Sequence, residues 1–202
     1  MKQRLQFVRQ YISSCLNACP PGRIRVVSVC AGDGRDLLGA LIDHPRASDV
    51  YARLVELDQR LVEGGRAAAE SSELGEQFEF VQGDATMSSV YEGAVPADLV
   101  LVCGVFGNLP PLEVHRLVRS LCCLCKHGGF VIWTRGLFEA GDDSISIVRE
   151  LLGESEFEEV SFKTTPNGRM GVGTHRYFGQ TLPLPYDQQL FVFSSPLEIQ
   201  EG

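Results

Sequence analysis

The sequence predicts an α/β protein, a doubly wound and mostly parallel sheet with helices on both faces. Three observations lead there. Short apolar runs alternate with segments of helical periodicity from Ile24 to Lys163, and right-handed crossovers then lay successive strands into one parallel sheet. The run Val26-Val27-Ser28-Val29-Cys30 passes through Ala31-Gly32-Asp33-Gly34-Arg35-Asp36 into Leu37-Leu38, which reads as a strand, a glycine loop and a helix N-terminus. The run Ala97 to Cys103 is nearly all aliphatic, as a central strand covered on both faces should be. With 202 residues, 44% hydrophobic and 22% charged, the chain is long enough for one well-filled domain and short for two, so 1–202 is read as a single domain.

Each element has its own signal. Leu5, Val8, Ile12 and Leu16 recur at helical spacing until Pro20-Pro21-Gly22, which places an N-terminal helix over 2–18. Ile24 to Cys30 is the first strand, and Leu37 to about His44 the helix after the loop, closed by Pro45. Tyr51 to Leu57 is the second strand and ends in acid; Leu61 to Ala69 continues as a helix, with Gly64-Gly65 allowing close packing on the sheet. Phe78 to Val81 is the third strand, turned by Gln82-Gly83-Asp84, and Ala97 to Cys103 the fourth. Leu112, Val114, Leu117, Val118, Leu121 and Leu124 form a helical stripe ended by His127-Gly128-Gly129. Phe130 to Thr134, the helix Ile145 to Leu152, and Phe157 to Lys163 complete the alternation. An irregular excursion over 165–189, rich in Gly and Pro, precedes a last strand at Leu190 to Phe193.

The loop states what kind of ligand it suits. A dinucleotide fingerprint needs a third Gly or Ala where this chain has Leu37. Asp33 and Asp36 would set two carboxylates against a pyrophosphate, so a cationic or zwitterionic ligand is better served; their plain alternative role is to cap the helix. No Gly-Lys-Ser or Gly-Lys-Thr is present, which excludes a P-loop. A net charge of -8 and a pI near 5.0 disfavour a broad nucleic-acid surface. The seven cysteines (Cys15, Cys19, Cys30, Cys103, Cys122, Cys123, Cys125) lack the paired spacing of a structural zinc site and read as reduced thiols, with no metal expected. No apolar run approaches the roughly 18 residues needed to span a bilayer, so a cytoplasmic protein without membrane attachment is expected.

With these residues in hand, the chain resembles the class I S-adenosylmethionine-dependent methyltransferases from about Arg23 to Thr134. Val29-Cys30-Ala31-Gly32-Asp33-Gly34 stands where that family has its glycine motif, and Val55-Glu56-Leu57-Asp58 where its second strand ends in an acid. Phe80-Val81-Gln82-Gly83-Asp84-Ala85 matches the third motif, and Asp98 to Leu109 the fourth. The resemblance implies a Rossmann-like seven-stranded sheet whose last strand is antiparallel, a role assigned to Leu190 to Phe193, and S-adenosyl-L-methionine as cofactor. Glu56, 22 positions after Gly34 (56 minus 34), lies at the spacing at which a second-strand acid accepts from a ribose. Asp84 would face an adenine edge, Gly32 and Gly34 the methionine part, and Asp33 and Asp36 its positive charges. Cys103, Gly104, Val105 and Phe106 would line the floor, with Phe106 or Leu57 packing on the adenine. Cys30, Ala31, Asp58, Gly83 and Ala85 complete the expected cofactor contacts.

The acceptor side is set less tightly, because methyl transfer needs alignment more than elaborate catalysis. The family's nucleobase-methylating members carry Asn or Asp followed by Pro-Pro and an aromatic where this chain has Cys103-Gly104-Val105-Phe106. A small-molecule acceptor, methylated on oxygen or nitrogen, is therefore expected. His44, His127 and His115 are read as structural. His175, in the excursion, is the candidate general base or else a buried structural histidine, with Tyr177 on the same strand face. Asn108, Trp133 and Arg135 are the remaining acceptor-pocket candidates. Two rival readings are an S-adenosyl-ligand-binding protein without catalysis and a nucleotide-binding oxidoreductase domain.

Overall fold

The computed structural model describes residues 2–137 and 142–194. Helix α1 (Lys2–Ala18) leads into β1 (Ile24–Val29), α2 (Arg35–Leu41), β2 (Val50–Glu56), α3 (Gln59–Ser71), β3 (Phe78–Gln82) and β4 (Ala97–Cys103). There follow α4 (Pro111–Leu124), β5 (Cys125–Gly136), α5 (Ser144–Glu154), β6 (Phe157–Thr164) and β7 (Met170–Tyr177). The seven strands form one sheet in the order β3-β2-β1-β4-β5-β7-β6. All neighbours are parallel except β7, which runs antiparallel to both β5 and β6. The order reverses between β1 and β4, and at such a switch point the carboxyl ends of the strands leave a crevice for a ligand.

Strand alternation sorts the core into two layers. Val26, Leu54, Phe80, Leu101 and Ile132 face α1, α2 and α3, while Val27, Val55, Val100, Val131 and Trp133 face α4 and α5. The α1 stripe Val8, Ile12 and Leu16 is fully buried in the first layer. Arg46 holds the C-terminal end of α1, donating to the carbonyls of Leu16, Cys19, Pro20 and Gly22. Helix α4 starts on Pro111, which suits its first turn, and buries Val114, Leu117, Val118, Leu121 and Leu124 in the second layer. No helix among the described residues is long and apolar enough to cross a membrane.

Two sequence expectations are corrected. The antiparallel last strand is Met170–Tyr177, inside the stretch expected to be irregular, and Leu190 to Phe193 is not a strand. Packing explains the error: a Cβ on Gly173 would lie 2.5 Å from the Trp133 indole, and one on Gly171 2.9 Å from Ile145. The glycines that break the pattern are the ones that let bulky neighbours cross the strand. The stretch 178–194 instead folds back over α4. Ser88 N–H donates to Gln188 O, Leu190 N–H to Thr86 O, Val192 N–H to Glu113 Oε2 and Ser194 N–H to Asn108 O. The fifth strand also starts earlier than expected, at Cys125 directly after α4.

Candidate active site

The turn after β1 is made by three residues of left-handed backbone, Cys30 (φ 53), Gly32 (φ 60) and Gly34 (φ 69). The strand is thereby redirected into α2 within a few residues. The two glycines serve different ends. A Cβ on Gly34 would meet Leu54 at 2.6 Å and the Phe80 ring at 3.1 Å, so Gly34 lets the loop sit down on the sheet. A Cβ on Gly32 would meet nothing within 4 Å, which leaves the space above it for something other than protein. Gly65 of α3 is as tight, with the Phe80 ring 2.2 Å from its Cβ position and Asp33 O at 3.0 Å.

Glu56, the last residue of β2, latches this loop. Its Oε2 accepts from Gly32 N–H at 2.8 Å, and its Oε1 from Leu57 N–H at 2.8 Å and Asp58 N–H at 3.0 Å. A carboxylate has about four acceptor positions, so one on Oε2 is left. Gly83 N–H donates to the Glu56 carbonyl at 3.0 Å, which joins the ends of β2 and β3. Beside the loop lies a cleft of about 440 Å³, lined by Arg4, Leu5, Ser28, Cys30, Ala31, Gly32, Asp33, Arg35, Asp36, Leu61 and Cys103. Its volume is in the range of small-molecule sites.

Arg4, Leu5, Ser28, Arg35 and Leu61 were not among the residues expected from sequence. The signal for Arg4 was its position one residue before Leu5 and four before Val8, at the border of the α1 apolar stripe. Arg4 is half-buried, and its Nε has no hydrogen-bond partner although it is shielded from solvent. Asp33 is engaged by Arg35 through Nε at 2.7 Å and Nη2 at 2.6 Å, which holds its carboxyl below the usual range. Asp36 differs: burial raises its carboxyl and the Arg4 charge opposes that rise. Burial pushes the Cys30 thiol up to about 12 and the Cys103 thiol higher still, so both are neutral lining groups. The cleft thus presents a cation and a carboxylate at its α1 end.

Other expected cofactor residues stand around this cleft rather than in its wall. Leu57 is exposed just after the latch, and Asp84 is exposed with Oδ1 accepting from Thr86 N–H at 2.9 Å. Asp58 caps α3, accepting from Arg60 N–H at 2.9 Å. Gly104 (φ 84) donates its N–H to Thr134 Oγ1 at 2.8 Å, which fixes the chain leaving β4. Ala85, Val105 and Phe106 are buried in the second core layer, so the Phe106 ring packs edge-on against Trp133 rather than on an adenine.

The acceptor candidates fare less well. His175 pairs with Val131 and Glu159, far from the carboxyl edge, and lies on the α5 side of the sheet. Its Nδ1 accepts from Trp133 Nε1–H at 3.1 Å, its Nε2 is 3.8 Å from Glu159, and burial depresses its pKa to about 4. It is a neutral core residue, not a base for this cleft. Trp133 is fully buried, and Tyr177 is buried against Phe157 with its hydroxyl donating to Gln180 O at 2.7 Å. Arg135 braces the site from behind, donating to the Phe106 carbonyl and to Ser144 Oγ. Asn108 alone of the five is exposed at the carboxyl edge, with Nδ2 donating to Gly104 O at 2.9 Å.

The strand order and the antiparallel β7 match the seven-stranded methyltransferase fold. The sequence model of a family described as "Putative methyltransferase" matches residues 1–141, and the chain belongs to that family. The uncharacterised Escherichia coli K12 protein YnbC is 29% identical over 113 residues, covering 55% of this chain and 19% of YnbC. The chain therefore spans about a fifth of the curated relative it matches. Among solved structures, magnesium protoporphyrin IX methyltransferase from Synechocystis PCC 6803 with bound SAM has a TM-score of 0.66 at 15% identity. That likeness covers 86% of this chain and 79% of the other. An O-methyltransferase family protein from Burkholderia thailandensis has a TM-score of 0.62 at 16% identity, covering 86% and 56%.

Proposed function

We propose that this protein is an S-adenosylmethionine-dependent methyltransferase acting on a small-molecule acceptor. The observation that carries the reading is the Glu56–Gly32 latch beside an open cleft at the ends of β1 and β4. A left-handed glycine with free space above it lets a ligand reach the backbone, and the remaining acceptor position of Glu56 suits a ribose hydroxyl. Arg4 and Asp36 at the α1 end fit the carboxylate and ammonium of the methionine part. A pyrophosphate at the loop would meet the carboxylates of Asp33 and Asp36, which both border it. When bound, S-adenosylmethionine supplies an electrophilic methyl group on a positively charged sulfur. The chain's part is to fix that group by Glu56, Gly32, Arg4 and Asp36 and to hold an acceptor in line with it.

Acceptor entry is assigned to the carboxyl edge near Asn108 and Leu112, both exposed beyond β4. The small-molecule reading is supported by the acidic net charge and by a structural neighbour named for a porphyrin substrate. Turnover with panels of carboxylate, hydroxyl and amine acceptors, read as S-adenosylhomocysteine release, tests it. Release with none of them, in protein that binds the cofactor, would favour a binding protein without catalysis.

A further inference from the structure

The edge of the sheet opposite the cleft carries a surface that the proposed reaction does not use. The connection from β3 to β4 contains only a short 3-10 turn, Ser88–Tyr91, where a helix would otherwise cover the sheet. The starts of β1 and β2 are therefore bare on the α4 side. Strand alternation places Arg25, Tyr51, Arg53 and Glu79 there, on the same face as buried Val27 and Val55. They border a groove of about 340 Å³ with Arg23, whose guanidinium lies 3.7 Å above the Tyr51 ring. Arg53 is paired with Glu79. Arg23 and Arg25 are exposed; the Arg25 backbone N–H donates to Asp98 Oδ2 at 2.8 Å, and neither guanidinium has a carboxylate partner among the described residues, although Glu76 also lines the groove. Two unpaired guanidinium groups side by side make a local basic patch on a chain of net charge -8, and an acidic surface would complement it.

That counterpart is on the same edge of the same chain. Glu154, Glu156 and Glu158, at the end of α5 and the start of β6, are all exposed and have no cationic partner among the described residues. In the order β3-β2-β1-β4-β5-β7-β6, β1 and β6 are four strand spacings apart, about 19 Å. Between them lie β5 and β7, where two large apolar side chains are exposed among His127, Arg176 and the Lys126–Asp98 ion pair. Phe178 is 42% exposed beside His127, and Leu182 is 50% exposed with its N–H held by Cys122 O. A basic patch and an acidic patch on either side of two exposed apolar side chains make a surface that can complement itself across a two-fold axis.

We infer that the occupant of this edge is a second copy of the chain, docked so that Arg23 and Arg25 of each copy meet Glu154, Glu156 and Glu158 of the other. Phe178 and Leu182 pack across the axis. The arrangement leaves both clefts open, because they lie at the opposite ends of the strands.

Sedimentation velocity on the full chain tests this, with two charge-reversed variants, R23E/R25E and E154K/E158K. The expected result is a wild-type dimer at low ionic strength that weakens as salt is raised from about 0.02 to 0.5 M. Each variant alone associates on the order of tenfold more weakly or worse, since both of its charged contacts become repulsive. An equimolar mixture of the two variants recovers the dimer, since both contacts are then attractive. Thermal melting confirms that the exposed substitutions leave each variant folded. A wild type that stays monomeric to about 100 μM at low salt, variants that dimerise like the wild type, or a mixture that fails to recover association would each overturn the inference.

Discussion

Glu56 carries two jobs that a single substitution separates. Its carboxylate ties three backbone N–H groups and, in the reading above, accepts from the cofactor ribose. Glu56→Ala should weaken S-adenosylhomocysteine by about 1.5 to 3 kcal/mol, the range for a hydrogen bond to a charged group, and also lower the melting temperature because the loop donors lose their acceptor. Calorimetry and thermal melting on one sample check both; unchanged affinity removes Glu56 from the site. Arg4→Ala should weaken S-adenosylhomocysteine by a similar amount yet leave 5′-methylthioadenosine, which lacks the amino-acid part, unaffected. Equal losses for both ligands would mean that Arg4 does not read the carboxylate. His175 gives a pH signature instead. Its folded pKa near 4 lies below the ordinary 6.5, so the unfolded chain takes up a proton first as the solution is acidified. The stability this residue provides is complete above pH 6.5 and is lost as pH falls toward 4, up to about 3 kcal/mol. Denaturant titrations of wild type and His175→Phe across that window should diverge in slope, with cofactor affinity unchanged. Parallel slopes would show that the ring is not held neutral.

At the scale of elements, what could be read in the chain was what periodicity reports. The four parallel strands β1 to β4, which end at Val29, Glu56, Gln82 and Cys103, show as apolar runs cut off by Gly or acid, because a buried strand and its turn are local matters. The segment Gly171 to Tyr177 could be read as a short strand, but not as the antiparallel strand between β5 and β6, because Gly171 and Gly173 answer to Trp133, Phe162 and Ile145 across the sheet. His175 and Tyr177 were misassigned with it: once the strand is antiparallel and inside the sheet, they fall toward the wrong end. Arg4 escaped for the reason that α1 meets the glycine loop only in three dimensions. The close contact of α3 with β3 yields its own prediction. Gly65→Ala puts a Cβ 2.2 Å from the Phe80 ring, so α3 must shift and press on the loop at Asp33 O. A destabilisation of about 1 to 3 kcal/mol is expected, although alanine is the better helix former. A Gly64→Ala control, with nothing within 4 Å, should be neutral or stabilising.

For the molecule as a whole, the sheet assigns its two edges to different tasks. Carboxyl ends gather the glycine loop, the Glu56 latch and the cleft, and the amino ends carry the charged and apolar surface through which copies would pair. Family membership and fold make the chain a member of a methyltransferase family, and the cofactor is what joins that membership to the cleft. The central claim is accordingly that the cleft takes an S-adenosyl ligand. Isothermal titration of the purified chain with S-adenosylhomocysteine, and separately with NADH and NADPH, tests it most directly. The account predicts saturable one-to-one binding of S-adenosylhomocysteine, weakened in Glu56→Ala, and no heat above dilution with either dinucleotide. Binding of a dinucleotide in preference to S-adenosylhomocysteine would contradict it.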